Sequence, residues 1–107
     1  MMKVRLFCAG GMSTSLLVRK IEAAAKEEGV DIDIIAYGVS SIERRIDETL
    51  DCVLIGPQIG YQKAEVKKVC DKYGVPMDVI PMTDYGMVNG KNVFQLAKKL
   101  AATKGKA

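Results

Sequence analysis

A chain of 107 residues, 49% of them hydrophobic, has the length of one ordinary domain and enough apolar material to bury a core. Sixteen Lys and Arg against thirteen Asp and Glu leave a net charge of only +3, too small and too scattered for a nucleic-acid surface, and four Tyr, two Phe and no Trp provide no interleaving of rings and basic residues to stack bases. Three cysteines without C-x-x-C spacing, in a chain with no histidine, argue for reduced thiols rather than a disulfide framework or a zinc site.

The opening "MMKVRLFC" is not a signal peptide, because Arg5 interrupts an apolar stretch that is already short and no small-residue cleavage site follows. No later segment approaches the roughly 20 apolar residues that span a bilayer. A cytoplasmic protein is expected. Lys3–Cys8 reads as the first strand, followed by a helix over Ser15–Glu28 whose Leu17, Ile21, Ala24 and Ala25 form one buried stripe and which Gly29 stops. Asp31–Tyr37 reads as the second strand, and Ser41–Leu50 as a shorter helix with Ile42, Ile46, Thr49 and Leu50 on one side. "CVLI" (Cys52–Ile55) is too continuously apolar for a half-exposed strand and suits one covered on both faces. A helix over Tyr61–Tyr73 then places Val66, Val69, Cys70 and Tyr73 together and ends at Gly74. Met77–Ile80 is the fourth strand, and Val93, Ala97, Leu100 and Ala101 mark the last helix. This alternation predicts a single-domain α/β fold with a parallel sheet. The domain spans residues 1–103, residues 104–107 are expected to fray, and the basic cluster Lys98–Lys106 reads as a solvated helix end and tail.

Ligands of a parallel α/β sheet collect where strands run out into helix N-termini, and "CAGGMSTS" (Cys8–Ser15) lies there. Gly10 and Gly11 let the backbone curl around an anion, Ser13, Thr14 and Ser15 carry hydroxyl donors, and the positive end of the next helix faces inward. Such surroundings favour a thiolate at Cys8, and a thiolate in a phosphate cradle is a nucleophile toward phosphorus. Cysteine phosphatases with a comparable loop follow C-x5-R, whose arginine grips the phosphate. Six residues after Cys8 stands Thr14 instead. The chain also lacks a histidine to act as proton donor, so the combination suggests a group that receives phosphate and hands it on.

"LFCAGGMSTSLLV" (Leu6–Val18), "LIGPQIGY" (Leu54–Tyr61) and "DYGMVNG" (Asp84–Gly90) resemble, in order and spacing, the enzyme IIB component of the lactose/cellobiose/chitobiose class of the bacterial phosphoenolpyruvate-dependent sugar phosphotransferase system. The resemblance runs through nearly the whole chain. It implies an open four-stranded parallel sheet in the order 2-1-3-4 with helices on both faces. It also implies that Cys8 accepts a phosphoryl group from a phosphohistidine of enzyme IIA, and that the group passes to a sugar, commonly a β-linked disaccharide such as cellobiose or chitobiose, bound by the membrane transporter enzyme IIC. Ala9, Gly10, Gly11, Met12, Ser13, Thr14 and Ser15 match the family's phosphate loop. Where some members carry serine and alanine after the cysteine, this chain has Ala9 and Gly10, which removes one side-chain donor and leaves the backbone cradle.

The implied strand order sets "GPQIGY" across from the cysteine loop, so Gln58 and Tyr61 become candidate rim contacts, although Gly56-Pro57 reads first as turn chemistry. "DYGMVNG" reads first as a loop before the last helix and second as part of a docking face containing Tyr85. Met12, apolar within an anion loop, suits a docking patch that meets two partners in turn. Cys52 and Cys70 read as small core residues. No metal or cofactor is implied, and a surface that shuttles between partners suits a monomer. Three other readings compete: a hydrolase of the low-molecular-weight phosphatase type, a flavodoxin-like module binding FMN, and a redox protein in which Cys52 or Cys70 resolves Cys8.

Overall fold

The computed structural model describes residues 1–9 and 12–104, and of Met12 and Ser13 the backbone alone. Four strands, β1 (Met2–Cys8), β2 (Ile32–Gly38), β3 (Cys52–Ile55) and β4 (Met77–Val79), form one parallel sheet in the order β2-β1-β3-β4. Five helices connect and extend them: α1 (Met12–Glu27), α2 (Ile42–Arg45), α3 (Lys63–Tyr73), α4 (Met82–Gly86) and α5 (Gly90–Thr103). Side chains alternate across a strand, and β1 divides its own accordingly. Val4, Leu6 and Cys8 join Cys52 and Leu54 beneath Leu17, Ile21, Val93, Phe94 and Ala97 of α1 and α5. Phe7 joins Val53 and Ile55 on the opposite face, covered by Val66 and Cys70 of α3 with Ile46 and Leu50. All four residues of β3 are buried, as its unbroken apolar run predicts for a central strand.

The helix expected over Ser41–Leu50 is a single 3₁₀ turn (Val39–Ser41) followed by the short α2. At Ile46 the backbone turns extended, with φ −101° and ψ 127°. Asp47 then accepts the Thr49 N–H at 2.8 Å and the Thr49 hydroxyl, a local turn that competes with helix. The Thr49 hydroxyl and N–H hold the Asp47 carboxyl below its ordinary range. Ile46 and Leu50 still reach the core, so the spacing identified buried positions but not the backbone that carries them. Another helical boundary moves too: Pro57–Gln62 is a kinked 3₁₀ segment, and α3 begins only at Lys63.

Three helices close with the same pair of hydrogen bonds. After α1, Val30 N–H reaches Ala25 O and Gly29 N–H reaches Lys26 O; after α3, Val75 and Gly74 do the same to Cys70 and Asp71. Both glycines take φ +69°, the left-handed conformation this motif requires. After α4 the corresponding residue is Val88, held at φ 51°.

α1 and α5 touch backbone to backbone at Gly90, where an added Cβ would lie 2.5 Å from the Lys20 carbonyl oxygen. Gly90→Ala is therefore expected to destabilise the fold by about 2–3 kcal/mol, because overpacking against a helix backbone outweighs the gain of about 1 kcal/mol in helix propensity. The urea midpoint of the variant checks this. An unchanged midpoint would mean that the two helices separate at little cost.

Candidate functional site

β1 and β3 lie side by side, and the chain leaves them in opposite directions, through α1 on one face and through α3 on the other. The sheet thus opens a crevice at the ends of these two strands. Cys8 is the last residue of β1 and Gly56 follows β3, its N–H donating to the Phe7 carbonyl at 2.9 Å. The two strand exits are close: a Cβ on Gly56 would sit 3.7 Å from Cys8 Cβ and 3.5 Å from the ring of Tyr85.

Thr14 lies in the first turn of α1 and is 2% exposed. Long side chains of a helix lean toward its N-terminus, and here the hydroxyl leans back to β1, where Thr14 Oγ1 donates to Cys8 Sγ at 3.2 Å. The same oxygen is 3.0 Å from the hydroxyl of Tyr85. Cys8 itself is 5% exposed, and its thiol has a long 3.9 Å contact to the Tyr37 carbonyl. Tyr85, Thr14 and Cys8 therefore form one buried chain of hydroxyl, hydroxyl and sulfur.

Tyr85 is held in that chain from several sides. Its helix α4 closes with Asn89 N–H on Asp84 O at 2.8 Å and Val88 N–H on Tyr85 O at 3.1 Å, the closing motif already described but with valine in the left-handed position. Asn92 Nδ2 donates to Asp84 Oδ1 at 3.0 Å, and Asn89 Oδ1 accepts the Asn92 N–H at 3.0 Å, tying α4 to the first turn of α5. Left-handed backbone is unfavourable for a β-branched residue. Val88 keeps it while packing against the core cluster that contains Tyr85.

The residues expected to form the site divide. Cys8 and Thr14 meet directly, whereas Ser15 and Ala9 face solvent. Gly10 and Gly11 lie outside the described residues, as do the side chains of Met12 and Ser13. Gln58 is exposed at the Gly56 turn, and Tyr61, ahead of α3, is 82% exposed; its hydroxyl accepts from Gln62 Nε2 at 3.0 Å. Tyr85, expected on a docking face, is instead 8% exposed, with its hydroxyl on Thr14 Oγ1. Met82, which opens α4, and Met87, just after its end, are 73% and 79% exposed, and Leu16, two residues after Thr14, is exposed as well. Sequence reasoning singled out none of the three by itself, although Met87 lies within the "DYGMVNG" stretch read as part of a docking face, since isolated apolar side chains on the surface carry no periodic signal.

Cys52 and Cys70 are fully buried, and burial pushes both thiols up to about 12. Cys52 pairs with Val4, four residues before Cys8 on β1, which separates it from Cys8 by roughly 13 Å at the rise of a strand. Cys70 belongs to the core on the other face of the sheet. A disulfide needs Cα atoms within about 7 Å, so neither cysteine resolves Cys8 in this fold. Native protein treated with iodoacetamide at pH 8 is accordingly expected to take one label, on Cys8, and denatured protein three; labelling of Cys52 or Cys70 in the native state would contradict their placement. Among the described residues no cluster of three His, Cys, Asp or Glu could hold a metal, and no helix is long and apolar enough to cross a membrane.

Comparison with known proteins adds a family to this geometry. The model of the PTS lactose/cellobiose-specific IIB subunit matches residues 3–96. The chain is 46% identical over 101 residues to the galactose-specific EIIB component of the PTS of Lactococcus lactis subsp. cremoris, covering 91% of this chain and 94% of that one. It is 45% identical, at the same coverage, to the cellobiose-specific EIIB component of Lactococcus lactis subsp. lactis. The solution structure of the cellobiose-specific phosphotransferase IIB component of Borrelia burgdorferi superposes with a TM-score of 0.78 at 34% identity, over 96% of this chain and 94% of the other.

Proposed function

Because the chain belongs to the lactose/cellobiose-specific IIB family of the sugar phosphotransferase system, a family of phosphotransferases that work with IIA and IIC partners, we propose that Cys8 is the atom-level carrier of the phosphoryl group. The observation that carries this reading is the hydroxyl of Thr14, aimed at Cys8 Sγ from 3.2 Å at the crevice between β1 and β3. A sulfur that accepts such a bond is stabilised as the anion, the form that attacks phosphorus.

In the first half-reaction, Cys8 Sγ attacks the phosphorus of a phosphohistidine on enzyme IIA. The S–P bond forms, the N–P bond breaks, and the imidazole leaves with its electron pair. The positive end of α1 lies next to Cys8 on the side where the phosphoryl oxygens would sit. In the second half-reaction, a hydroxyl of a sugar held by enzyme IIC attacks phosphorus. The O–P bond forms, the S–P bond breaks, the hydroxyl proton passes to a base beside the sugar, and Cys8 leaves as a thiolate again stabilised by Thr14. The chain contributes neither a histidine nor, at position 14, an arginine to drive water into the intermediate. The acceptor is a β-linked disaccharide such as cellobiose. The exposed Gln58, Tyr61, Met82 and Met87 form the rim that meets the two partners, and Met12, whose side chain lies outside the described residues, joins them on the strength of its place in the anion-loop sequence. The protein acts as a monomer in the cytoplasm and joins the membrane only through IIC.

Mass spectrometry after incubation with phosphoenolpyruvate, the general phosphotransfer proteins and IIA tests the assignment. One phosphoryl group on the peptide containing Cys8 is expected, stable until IIC and sugar are added. Phosphate on another residue, or steady hydrolysis of an aryl phosphate by the isolated protein, would overturn it.

A further inference from the structure

Resting on that reading, we infer that Tyr85 is a positioning residue for the transfer: its hydroxyl donates to Thr14 Oγ1 and so commits the one proton of Thr14 to the sulfur of Cys8. A threonine hydroxyl has a single proton and two acceptor lone pairs. Thr14 Oγ1 lies within bonding distance of two groups at once, Cys8 Sγ at 3.2 Å and Tyr85 Oη at 3.0 Å. A thiolate can only accept. Once the sulfur is ionised, a single arrangement satisfies all three buried groups, with Tyr85 donating to Thr14 and Thr14 donating to sulfur. Without the tyrosine hydroxyl, Thr14 is free to turn its proton elsewhere, and the sulfur loses the donor during part of the cycle.

The way Tyr85 is held fits this role. The hydrogen bonds among Asp84, Asn89 and Asn92 place none of their own groups on the sulfur. Their product is the location of the α4 turn, hence of the tyrosine hydroxyl. Gly56 offers its bare Cα beside the same ring, where a Cβ would stand 3.5 Å away. Two of the three sequence motifs thus converge on the third through one side chain.

Tyr85→Phe removes only the oxygen and keeps the packed ring. Two measurements on the full chain test the role. The single-turnover rate of transfer from phosphorylated IIA at saturating donor should fall about tenfold while the apparent affinity for the donor stays unchanged, the size expected from one buried hydrogen bond. A loosened site would instead weaken the apparent affinity for the donor. Since Tyr85 acts through Thr14, the Thr14→Val/Tyr85→Phe double variant should lose no more than Thr14→Val alone. An unchanged transfer rate in Tyr85→Phe, a weakened donor affinity in place of a slower rate, or additive losses in the double variant overturns the inference while leaving Cys8 as carrier. Wild-type protein that takes no phosphate on Cys8 overturns the carrier assignment itself, and this inference with it.

Discussion

Cys8→Ser should leave the fold in place and reduce phosphoryl transfer at least about a thousandfold, the scale on which enzymes lose activity with their nucleophile. The fold survives because the substitution changes one atom at a strand end. Serine keeps an acceptor within reach of Thr14, and the backbone pairing of Cys8 with Gly38 is untouched. The cost of a more polar atom in the cluster with Leu6 and Leu17 should stay near 1 kcal/mol. The chemistry does not survive, because an alcohol remains protonated at neutral pH whereas a thiol supplies the anion that attacks, and because an alkoxide is a far poorer leaving group in the second half-reaction. Single-turnover transfer from phosphorylated IIA, alongside thermal unfolding, separates the two effects. A variant that keeps a tenth of the wild-type rate would show that sulfur is not the carrier.

The parts of this fold that could be read along the chain are those decided by local chemistry. "CVLI" announces a doubly covered strand because nothing polar interrupts it, and Gly29 and Gly74 mark helix ends because a left-handed residue must follow there. Where two local preferences compete, the pattern misleads: Asp47 binds Thr49 and cuts short a helix that the spacing of Ile46 and Leu50 would have continued. Strand order came from the likeness to a family, since alternation of strands and helices fits several orders. The site divides along the same line. Glycines and hydroxyls beside Cys8 signal an anion loop within eight residues, whereas Thr14 and Tyr85 are 71 positions apart and meet only because α1 and α4 pack at one end of the sheet. Nothing in "DYGMVNG" tells an inward tyrosine from an outward one, which is why Tyr85 read as a docking residue.

Thr14→Val should lower transfer about a hundredfold and stability by about 1–3 kcal/mol, and the pairing of those losses is what identifies the hydroxyl's work. Valine keeps the β-branch and nearly the volume of threonine, so the first turn of α1 and its packing on Cys8 are preserved. Two interactions vanish together. Sulfur loses the donor at 3.2 Å, and hydrogen bonds to charged groups are worth about 1.5–3 kcal/mol, which converts to the rate loss if the anion is the reacting form. Tyr85 Oη, 8% exposed by residue, loses its partner at 3.0 Å and bears the penalty of a buried unpaired hydroxyl, which appears in the unfolding midpoint rather than in the rate. Thr14→Ser supplies the control: it keeps the oxygen and proton, gives up a methyl group, and should transfer within a few-fold of wild type. If valine and serine proved equally fast, the contact at the end of β1 would be packing alone. If serine proved as slow as valine, the oxygen alone would not restore transfer, and the methyl group that fixes the hydroxyl's direction would be needed as well.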